Sequence, residues 1–155
     1  SVAQTPGRMN IFEFDKFKVL IDFAHNPAGY RAVEGYLESV TATKKIGIIA
    51  GVGDRRDEDI KECGLIAARM FDHIIIRQEK YLRGRTEEEI INLILEGINA
   101  SGKSVTHEII PKETEAIKHA INSAQEGSFI TALSDVVTNA IEIVQEYLDK
   151  ENEDA

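Results

Sequence analysis

Short apolar runs alternate along the chain with longer segments of mixed polarity. The run 45–51 is almost continuously apolar, which is typical of a strand covered on both faces of a sheet. Further strands are predicted at 73–77, 105–110 and 128–133. The segments that flank and separate these strands are predicted helices, at 27–40, 58–71, 86–98, 112–124 and 134–147.

The amino-terminal part adds a hairpin to this alternation. Residues 9–14 and 17–23 are extended runs separated by the short polar turn Asp15-Lys16, which places one antiparallel strand beside the first core strand. The strand–helix units that follow require right-handed crossovers and a parallel sheet. We therefore predict an α/β fold: a three-layer, Rossmann-like sheet of about six strands, mostly parallel with one antiparallel strand, and helices on both faces.

One segment near the amino terminus carries candidate chemistry. The apolar run 19–21 stops at Asp22, and His25 follows just before Asn26 and Pro27. Asn is a good helix N-cap and Pro suits the first helical position, so these residues lie where a strand passes into a helix. Ligands of open α/β sheets bind outside the carboxyl ends of strands. Asp22 and His25 are therefore predicted site residues, although an acid that forms only a turn and a purely structural histidine remain the alternative.

A second candidate loop, 51–59, follows the next predicted strand. Its glycines allow a tight turn, and Arg55 and Arg56 could bind phosphate or carboxylate through their planar guanidinium groups. The alternative is a solvated loop whose charges pair with one another and which caps the next helix through Asp54 or Asp57.

A third loop contains the sequence Arg-Gly-Arg at 83–85, immediately before Thr86. The Thr-Glu-Glu-Glu sequence that begins at Thr86 is a capping box that starts a helix. Two guanidinium groups ahead of a helix N-terminus form a plausible anion pocket. In the structural alternative, Arg83 or Arg85 pairs with Glu87 or Glu88.

Composition excludes several classes of function. The net charge of −9 and the lack of a basic stripe argue against nucleic acid and against an anionic membrane surface. The single cysteine, Cys63, is predicted to be buried in a protein of a reducing compartment, the cytoplasm. Neither a metal-ligand spacing nor a transmembrane run occurs in the sequence.

The motif Asp-Phe-Ala-His-Asn-Pro at 22–27 resembles a signature of the C-terminal domain of Mur-type ligases. This family includes muramyl peptide ligases, folylpolyglutamate synthetases and cyanophycin synthetases. The extension Ala-Gly-Tyr at 28–30 and the Arg-Gly-Arg at 83–85 are most similar to the cyanophycin synthetase branch. The loop 51–59 resembles the Gly-Gly-Asp-Arg-Asp segment of muramyl ligases and aligns more fully with the cyanophycin synthetase version. The last strand lacks the glycine-rich turn that many members have, so Ser134 is predicted to be a helix N-cap.

The resemblance also implies a domain organisation. Thr-Pro-Gly-Arg at 5–8 is similar to the segment that links the central ATP-binding domain of these ligases to the C-terminal one. We therefore expect an interdomain hinge remnant at 1–10, a Mur ligase C-terminal-type domain at 11–149 and an acidic tail at 150–155. The chain would be a fragment whose partner is the central domain of the same polypeptide, and homo-oligomer formation is left open.

The implied activity is that of an ATP-dependent amide ligase, in which ATP phosphorylates a carboxylate and an amine attacks the acyl phosphate. ATP and Mg²⁺ would be held mainly by the central domain, and no metal ligand is assigned to this chain. By the resemblance, Asp22 and His25 are catalytic and, with Asn26, lie on the nucleotide side. The substrate-binding candidates are Arg83, Arg85, Asp54, Arg55 and Arg56.

For the cyanophycin branch, the implied reaction joins arginine to the side-chain carboxylate of a poly-aspartate backbone. The substrates are then a free amino acid and a polymer, and the guanidinium group of the amino acid would meet Asp54, Asp57 or Glu79. Two alternatives remain: the lobe of a muramyl- or folylpolyglutamate-type ligase with another amine substrate, and a free-standing Rossmann-like nucleotide- or anion-binding module without catalysis.

Overall fold

A computed structural model describes residues 9–51, 56–79, 82–134 and 136–155. Within these ranges the strands are β1 (Asn10–Glu13), β2 (Lys18–Asp22), β3 (Lys44–Ile49), β4 (His73–Ile76), β5 (Thr106–Ile109) and β6 (Ser128–Leu133). The helices are α1 (Pro27–Leu37), α2 (Asp57–Met70), α3 (Glu87–Ala100), α4 (Glu113–Asn122) and α5 (Val137–Asp154). The predicted order of strands and helices is confirmed.

The six strands form one sheet in the order β1-β2-β6-β3-β4-β5. β1 pairs antiparallel with β2, and all other neighbours are parallel, as predicted. β6 enters last and lies between β2 and β3, with Asp22 opposite Leu133 in register. The crossovers therefore reverse direction at β6, and the carboxyl ends of β2, β6 and β3 surround the crevice where open sheets bind ligands.

Helices cover both faces of the sheet, which confirms the three-layer prediction. On one face α1, α2 and α3 pack against strand residues such as Leu20, Ile49 and Ile74. On the other face α4 and α5 pack against residues such as Ile21 and Ile48. Cys63 belongs to the first of these two cores and is buried, as predicted. Within the described residues, no helix combines the length and the apolarity that a membrane span requires.

The amino end of α1 follows the local chemistry of its sequence. Asn26 is the N-cap, and its Oδ1 accepts a hydrogen bond from the backbone N–H of Gly29 at 2.8 Å. Pro27 is the first helical residue, where a missing N–H costs nothing. The same holds for α3, where Thr86 Oγ1 accepts from the N–H of Glu89 at 3.1 Å.

The prediction that Ser134 caps α5 is wrong. The cap position is Val136, two residues later. The Ser134 hydroxyl donates instead to Glu113 Oε2 at 2.7 Å and accepts from the N–H of Val136 at 3.3 Å. The Ser134 hydroxyl, which the local sequence pattern assigns to the cap of α5, is therefore hydrogen-bonded to a carboxylate of α4, Glu113.

Helix α5 also continues past its predicted end at Tyr147 and includes most of the acidic tail. Two contacts stabilise the extension. Leu148 is buried against the second core, and Glu151 Oε2 accepts a hydrogen bond from the backbone N–H of Asp15 in the hairpin turn at 2.9 Å. The extension is therefore anchored to the amino-terminal hairpin.

Candidate functional site

Asp22 is the last residue of β2, and both of its carboxylate oxygens accept hydrogen bonds from backbone N–H groups. Oδ1 accepts from the N–H of Met9 at 2.9 Å, and Oδ2 accepts from the N–H of Ala24 at 3.0 Å. Asp22 thus shapes the turn into α1, as the structural alternative expects. Each oxygen keeps a second lone pair for a further contact.

His25 lies half-buried in the same turn. Its Nδ1 is 2.9 Å from the carbonyl oxygen of Phe23. A carbonyl oxygen only accepts hydrogen bonds, so this contact places a proton on Nδ1 and makes Nε2 the acceptor of the neutral ring. The exposed ring of Phe23 contacts the imidazole edge-to-face, with centroids 5.1 Å apart. The turn therefore fixes both the tautomer and the orientation of His25.

The structure brings this turn together with the end of the next strand. His25 and Asn26 line a small concavity whose other walls include Gly51 and Asp59. A side chain at Gly51 would not fit, because a Cβ there would lie 2.5 Å from the Ile90 side chain. Asp54 and Arg55, two of the predicted substrate-binding residues, lie outside the described residues.

Arg56, the third candidate of that loop, occupies the N-cap position of α2 and is strongly exposed. Its Nε and Nη2 donate to Asp59 at 3.2 Å each, and Nη1 lies 3.3 Å from Glu58 Oε2. The hydrogen bond to Asp59 raises the pKa of the Arg56 guanidinium above its ordinary value. In this structure Arg56 therefore has the self-paired arrangement of the structural alternative.

Arg83 and Arg85 belong to a tight turn that Arg85 N closes on Leu82 O at 3.0 Å. Arg83 and Gly84, at its centre, have φ angles of 53° and 85°, the left-handed region that glycine adopts without strain. Arg83 is exposed, so its side chain is accessible to a ligand.

Arg85 instead reaches across to α2. Its Nη1 lies 2.7 Å from Asp57 Oδ1 and 3.6 Å from Glu89 Oε2. The sequence suggested Glu87 or Glu88 as alternative partners, and the structure shows Asp57 and Glu89 instead. This pair connects the loop before α3 to the first turn of α2, so two of the candidate loops meet there.

A buried cluster that sequence reasoning missed lies at the same edge of the sheet. Arg77, directly after β4, is 6% exposed, and its Nη2 donates to the carbonyl of Leu133 at 3.2 Å. Its Nη1 lies 3.5 Å from Glu79 Oε1, and its Nε lies 3.3 Å from Glu113 Oε2. The available sequence signal was an arginine directly after the three isoleucines of a buried strand.

The charged residues of this cluster, Arg77, Glu79 and Glu113, line a cleft of about 790 Å³ at the ends of β4, β5 and β6. Glu113, at the start of α4, accepts hydrogen bonds from Ser134 Oγ at 2.7 Å and from Asn139 Nδ2 at 3.2 Å. The cluster therefore joins three loops beside the crevice. Among the residues that the structure describes, no group of three or more His, Cys, Asp or Glu side chains is placed to hold a metal ion.

Comparison with known proteins gives one family. The sequence profile described as "Mur ligase, glutamate ligase domain" matches residues 7–136. The chain is 42% identical over 144 residues to a cyanophycin synthetase of Geminocystis herdmanii, covering 93% of this chain and 16% of that protein. It is 35% identical over 133 residues to a UDP-N-acetylmuramoyl-L-alanyl-D-glutamate–2,6-diaminopimelate ligase of Aquifex aeolicus, covering 84% of this chain and 26% of that protein.

Solved structures share the fold. A UDP-N-acetylmuramoyl-L-alanyl-D-glutamate–2,6-diaminopimelate ligase superposes with a TM-score of 0.75 at 22% identity, over 96% of this chain and 32% of the other. E. coli FolC, in a complex with DHPP and ADP, superposes with a TM-score of 0.72 at 20% identity, over 94% of this chain and 32% of the other. The chain thus corresponds to about a third or less of these relatives.

Proposed function

Because the chain belongs to the Mur ligase family, through a glutamate ligase domain that matches residues 7–136, we propose that it is the C-terminal lobe of an ATP-dependent amide ligase of the cyanophycin synthetase type. The observation that carries this choice is the 42% identity over 93% of the chain to a cyanophycin synthetase. The diaminopimelate ligase is 35% identical over 84% of the chain. Within the chain we assign 1–10 to a hinge and 11–149 to the domain, with an acidic tail after it, and we place the enzyme in the cytoplasm.

In the proposed reaction, the terminal phosphoryl group of ATP passes to a side-chain carboxylate of a poly-aspartate backbone, and ADP leaves. The α-amine of arginine then attacks the acyl carbon, loses a proton and displaces phosphate, which forms the amide. The central domain, a proposed partner in the same polypeptide, holds ATP and Mg²⁺. Two observations support this division. The chain covers 16% of the cyanophycin synthetase that it matches. The one Gly-x-x-x-x-Gly-Lys-Ser spacing in the sequence, at 97–104, leads from the end of α3 towards β5, whereas a phosphate-binding loop leads from a strand into a helix.

We assign Asp22, His25 and Asn26 to the nucleotide side of the closed enzyme. Asp22 and Asn26 shape the turn through their hydrogen bonds to backbone N–H groups. His25 contributes the contact to the reacting groups, since its Nδ1 is engaged by a carbonyl and its Nε2 is the acceptor in the neutral ring. Its proposed role is to hold or move a proton at Nε2 as the lobe closes.

The incoming amino acid is assigned to the loop at 83–85. Arg83 is exposed and can receive an α-carboxylate directly. Arg85 and Asp57 form a pair of opposite charges 2.7 Å apart. A zwitterionic amino acid with a cationic side chain carries groups complementary to both. Its carboxylate can replace Asp57 as the partner of Arg85, and its guanidinium group can replace Arg85 as the partner of Asp57.

The first experiment is His25→Ala in the full-length enzyme, with His107→Ala as the matched control because His107 is exposed on the edge strand β5. We expect His25→Ala to lower kcat/KM for ligation by about 30- to 1,000-fold, the loss of about 2–4 kcal/mol of transition-state stabilisation. The control should keep its activity. Unchanged kinetics in a folded His25→Ala enzyme would remove His25 from the reaction.

The second experiment makes Arg83→Ala and Arg85→Ala separately, with Arg31→Ala as control, because Arg31 pairs with Glu62 on the helical surface. Each loop variant should raise the KM for arginine about ten- to a hundredfold, as expected for one lost charge-assisted contact of about 1.5–3 kcal/mol. The KM for ATP should change far less. A loss of ATP affinity with an unchanged KM for arginine would show that the loop serves the nucleotide instead.

A further inference from the structure

Arg77 is a buried charge whose contacts are longer than those of a well-made ion pair. It is 6% exposed, yet its contacts to Leu133, Glu79 and Glu113 measure 3.2, 3.5 and 3.3 Å. Charge-assisted hydrogen bonds are commonly about 2.7–2.9 Å. Among the described residues, Arg77 Nε has no hydrogen-bond partner of good geometry, although it lies near Glu113.

Such a cluster is a poor source of stability. Desolvation of a buried charge is unfavourable and imperfect contacts do not offset it, so apolar residues of similar volume stabilise a core equally well or better. A buried network that is only partly satisfied therefore calls for another explanation. Active-site contacts that are long without substrate and tighten in the complex are one such explanation.

The contacts of Arg77 identify what it holds in place. From the end of β4 it reaches the last carbonyl of β6, at Leu133. The following residue, Ser134, donates its N–H to the carbonyl of Asp22 at 3.0 Å, so the end of β6 is tied to the turn of the nucleotide side. On its other side Arg77 contacts Glu79, which lies in the loop that leads to Arg83.

We propose that Arg77 is a positioning residue of the amide ligase reaction: from the cleft at the ends of β4, β5 and β6 it sets the placement of Glu79 and Glu113, and with them the loop that receives the amino acid. This inference rests on the proposed function. Arg77 acts through these neighbours and does not contact the reacting atoms. A planar guanidinium suits this role because it can bind a carbonyl and two carboxylates in fixed directions, whereas an ammonium group cannot.

The test uses Arg77→Lys in the full-length enzyme, which keeps the buried positive charge but removes the planar fork. The matched control is Arg69→Lys, because Arg69 forms a bidentate pair with Glu34, at 2.7 and 2.9 Å, on the outer helices α1 and α2. We expect Arg77→Lys to raise the KM for arginine about ten- to a hundredfold, the effect of a misplaced binding group. The KM for ATP and kcat should stay within about twofold.

A second variant, Arg77→Met with Glu79→Gln and Glu113→Gln, guards against simple unfolding, since it removes all three charges of the cluster together. It should keep the melting temperature of the wild type and reproduce the raised KM. If either variant melts at a lower temperature than the wild type but keeps the wild-type KM for arginine, Arg77 is only structural and the proposal is wrong. An unchanged KM for arginine in both variants would refute the proposal as well.

A third measurement separates this proposal from the proposed function. In the 155-residue chain, Arg77→Lys should weaken the hydrogen-exchange protection of the Ser134 amide, whereas Arg69→Lys should not. If the wild-type full-length enzyme does not ligate arginine, the proposed function is wrong. An active wild type whose Ser134 amide is unaffected by Arg77→Lys would overturn the positioning role alone.

Discussion

The close packing of α2 on α3 depends on two glycines and gives a sharp stability prediction. A Cβ added at Gly97 would lie 1.9 Å from the carbonyl oxygen of Lys61 and 2.9 Å from the N–H nitrogen of Leu65. Both are backbone atoms of α2, so no side chain can turn away. The helices would have to separate by about 1.1 Å to restore a tolerable contact of 3.0 Å. Gly64 shows the same contact from the other helix, 2.3 Å from Ile94 O.

Overpacking of this kind costs about 3 kcal/mol, and the better helix propensity of alanine returns about 1 kcal/mol. We therefore expect Gly97→Ala to lower the free energy of unfolding by about 2 kcal/mol, which lowers the melting temperature by about 4–8 °C for a chain of this size. Urea and thermal unfolding followed by circular dichroism measure both values.

Gly35→Ala is the matched control. Gly35 lies within α1 and is exposed, and nothing stands within 4 Å of a Cβ there. The same substitution should therefore stabilise by about 0.5–1 kcal/mol. Opposite signs for the two variants are the expected result. If Gly97→Ala is as stable as Gly35→Ala, α2 and α3 do not approach as closely as described.

Two further predictions concern single contacts. Asn26→Ala removes the cap on the N–H of Gly29 and should cost about 1 kcal/mol in urea unfolding, with most of it restored in Asn26→Asp; an unchanged midpoint for Asn26→Ala would contradict the capping role. The hydrogen bond from His73 lowers the pKa of Glu108 below its ordinary 4.5, so the folded state binds this proton less readily than the unfolded one. That part of the stability is present above pH 4.5 and is lost as the pH falls through the lower folded value. Urea midpoints of wild type and Glu108→Gln between about pH 6 and 3 should show a smaller acid loss in the variant, and equal losses would refute the coupling.

Features that depend on near neighbours in sequence could be predicted. The cap at Asn26, the proline after it and the cap at Thr86 all act within one helical turn, so their residue types suffice. The alternation of apolar runs and helical segments predicts the parallel sheet, because each crossover is restricted to one hand. The place of Asp22 and His25 at a strand end follows from the same pattern.

Contacts that depend on strand order could not be predicted. Arg77 meets Glu113 and Leu133 only because β6 enters the sheet between β2 and β3 and α4 crosses back over the opposite face. Arg85 meets Asp57 for a similar reason, since α2 and α3 lie side by side. From the sequence alone, each arginine has many acidic residues as potential partners. Local spacing favours acids nearby in the sequence, and these are not the partners in the structure.

The arginines at this edge of the sheet differ in how easily a ligand can displace their partners. The Arg56 side chain is 73% exposed, and in the pair of Arg85 and Asp57 the side chains are 22% and 57% exposed. Exposed pairs of this kind contribute only about 0–1 kcal/mol, so in the proposed function a substrate carboxylate would exchange with them at little cost. The pair of Arg77 and Glu113 is 5% and 17% exposed, and removal of either partner leaves a buried charge, which costs about 3–5 kcal/mol. For the proposed function, this means that the ion pairs expected to open for a charged amino acid are the more exposed ones, whereas the buried Arg77 and Glu113 connect the loops after β4, β5 and β6.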